Sequence, residues 1–502
     1  MRIPFKNAPI EFNQRLLYPS CIFDLLPKDH DCFVLDDLFK QIDISIVEGN
    51  YSYIGQNAYN PRIILGIMIY AYSHGLFSSR QIEKRCHQDL AFMYISHLGC
   101  PNFRVLSDFR KNNFQLLADS FKQSALLAKK LGMVSFGHVS LDGSKFKANS
   151  SKHKAMSYEF LKKREEELVN EIKELINQAK ECDQAEDDRH QDKTGFEIPE
   201  ELKVKEKRLA KIQEAKQALE AREQELNPNK KIADAKQISF ADKESRIMGK
   251  KGQYEYAYNA QISVDEKSQI IVGQHLSQNA NDKTEVEPAL EQIHETMSEL
   301  PDKISSDNGY LSGSNLEKLN ESGVDAYVAT GRENKKDNKP VDECNREIKK
   351  ADFEYDSERD CFICPGGQML DIRSKGEAGN WIYQARKEAC EQCMYRWRCC
   401  KSGKGEPRTI NTDDMEPLRQ HMIEKMRQQS SKEVYKKRKV IVEPVFGQIK
   451  NGGFRGFLLR GHRKASGEFS LVCCAHNLMK IARALLRGEV RLETGKMEAT
   501  MA

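Results

Sequence analysis

Two short β-type runs most constrain the fold, His138-Val139-Ser140-Leu141-Asp142-Gly143 and Lys303-Ile304-Ser305-Ser306-Asp307, each reaching an aspartate beside a glycine turn, Gly143 in one and Asn308-Gly309 in the other. Further signals surround them. Strand patterns at Tyr254 to Val264 and Ile270 to Leu276 flank the turn Asp265-Glu266-Lys267-Ser268, helices fit Lys283 to Leu300 and Ser312 to Ser322, and a strand fits Val324 to Ala329. A hairpin followed by strands alternating with helices specifies a mixed α/β core.

The pattern differs on either side. In residues 60–131 apolar residues recur at helical spacing: Ile63, Ile64, Ile67, Met68 and Tyr70, then Leu90, Phe92 and Met93, then Leu116, Leu117, Phe121 and Leu126. This predicts an all-helical unit over 1–131. Within it, Leu76 to Glu83 reads as a helix, a short turn and a Ser-capped second helix, as a helix-turn-helix needs, and Arg80, Lys84 and Arg85 suit phosphate contact. A plain helix corner explains the same pattern. The α/β unit spans 132–480 with interruptions at 155–235 and 331–410, and 481–502 is a tail that frays.

The first interruption carries Leu161, Leu168 and Leu175 at a spacing of seven, with Ile172 and Ala179 beside them, and after Pro199 it carries Ile212, Leu219 and Leu226. The segment Asp183 to Pro199 is polar. An antiparallel helical hairpin ending near Asn227-Pro228-Asn229 follows, of a kind that more often spaces or dimerises than does chemistry.

The 502 residues leave room for two to four domains, and 39% hydrophobic with 31% charged residues fits a globular chain. A net charge of +4 from 79 basic and 75 acidic residues names no partner. The distribution says more: Lys436-Lys437-Arg438-Lys439, Lys450 to Arg455, Arg460 to Lys464 and Arg396-Trp397-Arg398 are basic runs. Each alone is a solvated face, and together, near one site, they point to DNA. No apolar run approaches the roughly 20 residues of a membrane span, and the first residues lack a signal-peptide core. The expected location is the cytoplasm, with no membrane partner. There the 14 cysteines stay reduced and read as metal ligands or core residues.

Asp142 and Asp307, with a distant Glu443 on a basic helical segment, make a set that one sheet edge can gather. Phosphodiester chemistry uses two hard divalent cations roughly 3.5–4 Å apart, held by carboxylates rather than His or Cys. A single aspartate at a strand end is ordinarily a turn cap, so the joint pattern carries the reading. Glu443 is preferred to Glu433, which lies in a polar stretch. Glu443 follows Val440-Ile441-Val442 and precedes Val445 and Phe446, which should anchor it, and Lys450 shares its helix face. Pro444 requires a helix start near Glu443 or a kink there.

Cys361-x2-Cys364 and Cys390-x2-Cys393 are separated by 25 residues, with Cys399 and Cys400 just after. Two such pairs have zinc-ribbon spacing, since tetrahedral zinc takes four thiolates from two tight turns. The expectation is a closed structural zinc, with Cys399 or Cys400 able to replace one ligand and unmetallated cysteines as the alternative. Cys473-Cys474 lie on an apolar helix and read as core, and His138 and His462 read as structural.

Taken together, these features resemble the DDE transposases of bacterial insertion sequences, specifically the branch with an InsH-like helical N-terminal domain and a cysteine-bearing insertion in the catalytic core. The resemblance rests on Asn60-Pro61 through Glu83, Asp108-Phe109-Arg110, Leu141 to Lys145, Ser306 to Tyr310, and above all Tyr435, Arg438, Glu443-Pro444-Val445-Phe446-Gly447, Lys450 and Arg460-Gly461. The family signature sets Tyr and Arg two residues apart, three before Glu, and six more before Lys. This chain keeps six between Glu443 and Lys450 but has four between Arg438 and Glu443, so either Arg438 is shifted or Lys439 replaces it.

The resemblance implies an RNase H-like fold, transposon-end cleavage and strand transfer with two Mg or Mn ions at Asp142, Asp307 and Glu443. It implies terminal inverted repeats and target DNA as double-stranded partners, the ends being read partly by the N-terminal domain, and a homodimer in the active complex. Tyr435, Arg438 or Lys439, and Lys450 would hold DNA phosphates. A catalytically inert DNA-binding or zinc and coiled-coil scaffold, and an RNase H-like nuclease without strand transfer, are the rival readings.

Overall fold

The computed structural model describes residues 21–49, 58–150, 155–187, 200–228, 230–250, 253–330, 346–376, 379–402 and 405–492. The apolar helical spacing of the first segment folds into packed helices, among them α1 (Pro61–Ser73), α2 (Ser79–Gln88), α3 (Phe103–Asn112) and α4 (Phe114–Lys130). Asn60 caps α1 by accepting the Arg62 N–H, and Pro61 sits in the first turn, where its missing donor is not needed. Ser78 stands at the N-cap of α2 but makes no side-chain cap hydrogen bond, against the expected Ser cap. Leu126, expected on the apolar face, is exposed.

After β1 (His138–Lys147) come the two long helices α5 (Tyr158–Asp187) and α6 (Glu200–Leu226). Leu161, Leu168, Ile212, Ala215 and Leu219 form their shared core, while Leu226 is exposed. Residues 188–199 of the expected connection lie outside the described residues. A short strand pair, Ala155–Ser157 with Gln237–Ser239, closes the base of the hairpin.

The chain then returns to the sheet as β2 (Gln253–Asp265), β3 (Ile271–Ser277), β4 (Lys303–Ser306) and β5 (Asp325–Val328). The order is β3-β2-β1-β4-β5, antiparallel from β3 to β1 and parallel from β1 to β5. Helices α7 (Val286–Met297) and α8 (Gly313–Ser322) make the crossovers. Another strand, Arg246–Lys250, pairs with the start of β2.

The second interruption holds a separate five-stranded antiparallel sheet ordered Thr409–Thr412, Trp381–Ala385, Met369–Lys375, Cys361–Ile363 and Glu354–Asp356. Its strands are three to seven residues long, too short for the sequence pattern to reveal them.

Four helices complete the chain: α9 (Glu416–Arg427), α10 (Gln429–Ile441), α11 (Glu443–Asn451) and α12 (His462–Leu486). Helix α12 packs against α1, α4 and β3. Among the described residues it is the one helix long and apolar enough to cross a membrane, and 67% of that stretch is buried inside the protein. To this extent the expectation of no membrane-length apolar run is corrected. Residues 493–502 of the expected tail lie outside the described residues.

At the start of α12, Glu468 is fully buried. Its Oε1 accepts the Tyr72 hydroxyl at 3.0 Å and lies 3.6 Å from Arg110 Nη1, which also donates to the Tyr72 oxygen at 2.7 Å. Its Oε2 accepts the backbone N–H of Leu458 and Leu459 at 2.9 and 3.0 Å. Removing one member of a buried ionic set strands the other, at about 3–5 kcal/mol. Glu468→Ala is therefore expected to lower the unfolding free energy by about 3 kcal/mol or more in urea titration. A loss no larger than that of an exposed glutamate would contradict this role.

Candidate active site

Strand β1 pairs with β4 in parallel through His138 to Ser140 alone, against Lys303 to Ser305. Ser140 faces Ser305, and their hydroxyls are 2.8 Å apart, so the two side chains share a sheet face. Side chains alternate along extended chain. Asp142 and Asp307, each two residues further on, therefore emerge on that face, where the parallel pairing has stopped.

β1 does not end at Asp142, as the sequence suggested, but runs on to Lys147 against β2. No turn forms at Gly143. The glycine instead provides space, because a Cβ there would lie 2.3 Å from Gln261 Nε2 and 2.9 Å from Asp282 Oδ1. A Cβ on Gly309 would lie 3.1 Å from Asp282 Oδ2. Both glycines thus make room for a fourth carboxylate that the sequence reading missed. Asp282 lies on the loop between β3 and α7, and its Oδ1 accepts from Asn259 Nδ2 and Gln261 Nε2, each at 2.7 Å. The Tyr310 hydroxyl in turn donates to Gln261 Oε1.

Glu443 opens α11 directly after α10, with Val442 capping both helices, and Pro444 occupies the first turn. On an unbroken helix, residues five apart point about 140° away from each other. The break at Val442 removes that divergence: Arg438 Nη2 lies 3.0 Å from Asp142 Oδ1, and Nη1 lies 3.5 Å from Glu443 Oε1. Arg438 is buried and Lys439 exposed, so Arg438 is the residue that reaches the carboxylates. Val440, expected to anchor Glu443, is 68% exposed, and Ile441, Val442, Val445 and Phe446 are the buried anchors.

Lys450 Nζ donates to Ser144 Oγ at 2.6 Å and lies over the Phe146 and Phe446 rings. Tyr435 packs half-buried against the main core. Glu433 is exposed, accepting from Gln429 at 3.4 Å. Arg80 is exposed on α2, with its guanidinium over the Phe103 ring. The basic residues Lys147, Arg455 and Arg460 line a cavity of about 500 Å³. His138 Nε2 is 2.9 Å from Ser305 Oγ, and His462 Nε2 is 2.6 Å from the Leu276 carbonyl oxygen, both framework contacts.

The cysteines do not gather as expected. Cys361 is buried on its strand, one residue from Phe362 and three from Cys364, so it faces away from both. Its charged neighbours are Asp356, Asp371, Arg359 and Asp360. Cys364, Cys390, Cys393, Cys399 and Cys400 instead line one small cavity. Cys473 and Cys474 are buried in α12. Among the described residues, no group of three or more His, Cys, Asp or Glu stands close enough to grip a metal ion as it is.

A family model described as Transposase DDE domain matches residues 363–482, and one described as Transposase domain (DUF772) matches residues 20–112. These two matches support an insertion-sequence DDE transposase. No curated protein and no solved structure matches it. The DDE match takes in Arg438, Glu443 and Lys450 of the transposase and begins after Asp142 and Asp307, while the other match takes in α1, α2 and Arg80.

In this transposase, burial pushes the Asp142 carboxyl up to about 6; Arg438 opposes the rise, and the charges of Asp307 and Asp282 add to it. The ionised form is therefore unfavourable in the folded protein relative to the ordinary value of 3.8. That cost is absent below about pH 4, grows as pH rises toward 6 and is fully present above it. In metal-free buffer at pH 7.5, Asp142→Asn is expected to stabilise the fold by about 1–3 kcal/mol, a gain that fades as pH falls to 4. Urea titrations across that range check it. A variant no more stable than the parent at pH 7.5 would contradict the assignment.

Proposed function

We propose that this transposase binds the terminal inverted repeats of its element as double-stranded DNA and catalyses metal-dependent cleavage and strand transfer through an RNase H-like core. The observation that carries the reading is the shared register of Asp142 and Asp307, with Arg438 spanning from Asp142 to Glu443. The sheet order β3-β2-β1-β4-β5, antiparallel then parallel, supports the RNase H-like assignment. The proposed domains are a helical DNA-binding unit over 1–131 and a catalytic unit over 132–480, interrupted at 155–235 and 331–410.

The donor set suits Mg or Mn. Hard oxygens from carboxylates outnumber the one guanidinium beside them, and the upward push on Asp142 reflects that unbalanced charge as well as burial. Asp142, Asp307 and Glu443 would hold the ions. Two such ions, when bound, activate a water or 3′-hydroxyl nucleophile and stabilise the leaving oxygen.

The chain's own side chains do the positioning. Arg438 fixes Asp142 and Glu443 and offsets part of their charge, and Asp282 holds the Gln261 amide between β1 and β2. Lys439 and Lys450, with Tyr435, face the DNA phosphates, and Arg80 contacts the end sequence from the helical unit. The protein acts in the cytoplasm, as a homodimer in the active complex.

Asp142→Asn, Asp307→Asn and Glu443→Gln should each lose cleavage of an end-bearing duplex in Mg²⁺ by orders of magnitude, yet keep end binding in gel shifts. Glu433→Gln should cut normally. Undiminished cutting by Glu443→Gln together with a dead Glu433→Gln would move the third carboxylate.

A further inference from the structure

The short sheet of the second interruption has its own apolar core around Phe362, Leu370, Tyr383 and Ile410, with Cys364, Cys390, Cys393 and Cys400 at its edge. Cys364 begins a tight turn. The Gly367 N–H donates to the Cys364 carbonyl at 2.8 Å, and the Cys364 N–H donates to the Gln368 carbonyl at 2.9 Å. Gly367 takes φ +75°, a value glycine adopts without strain. This geometry aims the Gln368 N–H at Cys364 Sγ, 3.3 Å away.

A Cβ on Gly366 would lie 3.4 Å from Cys393 Sγ and 3.6 Å from Cys364 Sγ, so both sulfurs crowd one point of the backbone. On the other side, Cys390 lies beside both Cys400 and Cys393 on the same small cavity. These cysteines line a cavity of about 20 Å³ whose other walls include Cys399, Leu370, Ala385, Arg396 and Arg408. The space suits a single ion and no organic ligand.

We propose that Cys364, Cys390, Cys393 and Cys400 form a closed structural zinc site, with the last three in the pattern Cys390-x2-Cys393-x6-Cys400. Four thiolates select zinc over magnesium, and tetrahedral coordination fills every position, leaving none for substrate. Cys361 is excluded because its strand turns it away. Cys399 is buried in the apolar core of this sheet, whereas Cys400 is only partly buried and adjoins Cys390. As they stand, these cysteines do not meet the spacing of a metal site, and binding would have to draw them together as their protons leave. Arg396, Trp397 and Arg398 lie between two of the ligands, so the ion fixes the base of that basic, partly exposed segment. The site is independent of the proposed cleavage.

Elemental analysis of the full chain, purified without chelator, should find about one zinc per chain. Cys361→Ser and Cys399→Ser should keep it, whereas Cys364→Ser, Cys393→Ser and Cys400→Ser should lose most of it. Cobalt exchanged into the parent should give the visible bands of tetrahedral thiolate coordination. Where a variant fails to fold, alkylation of the parent decides, with zinc protecting Cys364, Cys390, Cys393 and Cys400 until chelator is added. A folded, zinc-free chain, a Cys390 to Cys400 disulfide in the purified protein, or zinc lost by Cys361→Ser and retained by Cys400→Ser would each overturn the assignment.

Discussion

The fully buried Glu468 carboxylate ties helices α1, α3 and α12 to the loop that leaves α11. It joins Tyr72 of α1 and Arg110 of α3 to the first turns of α12, and it takes the backbone N–H of Leu458 and Leu459. Those two residues belong to the loop that leaves α11. The same loop is held against the end of β1, where the Phe457 N–H donates to the Lys147 carbonyl and the Lys147 N–H donates to that of Arg455. Helix α11 is thereby set from its C-terminal side by one carboxylate and from its N-terminal side by the break at Val442. Phe146, Phe446, Phe454, Phe457 and Phe469 fill the space between them, with ring centroids 5.3 to 6.4 Å from that of Phe146. A buried charge is a costly device unless its lone pairs find donors, and here three hydrogen bonds and the Arg110 guanidinium surround it.

That clamp makes the position of Glu443 a tertiary property. The residue opens a short helix and is half exposed, so its own burial does not fix where it points. Arg438 supplies the direction. A planar guanidinium offers separate N–H donors to two carboxylates at once, which a lysine ammonium on a flexible stem does not reproduce with the same geometry. The extra residue between Arg438 and Glu443 is absorbed by the helix break, since Val442 turns what would be opposite faces into neighbouring ones.

Much of this was legible in the sequence, and the exceptions share a cause. The alternation around Asp142 and Asp307 and the run of strands and helices after Tyr254 specified a mixed α/β core with its strands nearly in place. Wherever a residue's neighbour comes from a distant segment, periodicity is silent. Gly143 and Gly309 read locally as turn formers, yet their lack of a side chain is set by Asp282 approaching from the β3 to α7 loop. Val440 belongs to an apolar run and still faces solvent, because the run spans the helix break and only Ile441 and Val442 turn inward. Cys361 shares a Cys-x2-Cys spacing with Cys364, but that spacing brings two thiols together on a turn and separates them on a strand.

The electrostatics of the carboxylate group follow from the same long-range geometry. Two parallel strands in register carry Asp142 and Asp307 onto one sheet face just beyond the paired residues, close enough to feel each other's charge, and the Gln261 and Asn259 amides hold Asp282 nearby. One buried arginine offsets this only in part, which is why burial and two neighbouring carboxylates outweigh Arg438 at Asp142. A fold selected for stability alone would replace such a group with neutral residues of similar volume. Retaining it sets the ionised site against the stability of the fold, a balance that a cation held there would offset. The excess is specific to the carboxylates, since the buried Glu468 carboxylate that holds the surrounding helices is matched by its own donors. The scaffold and the site thus use buried charge in opposite ways, satisfied in the first and left in excess in the second.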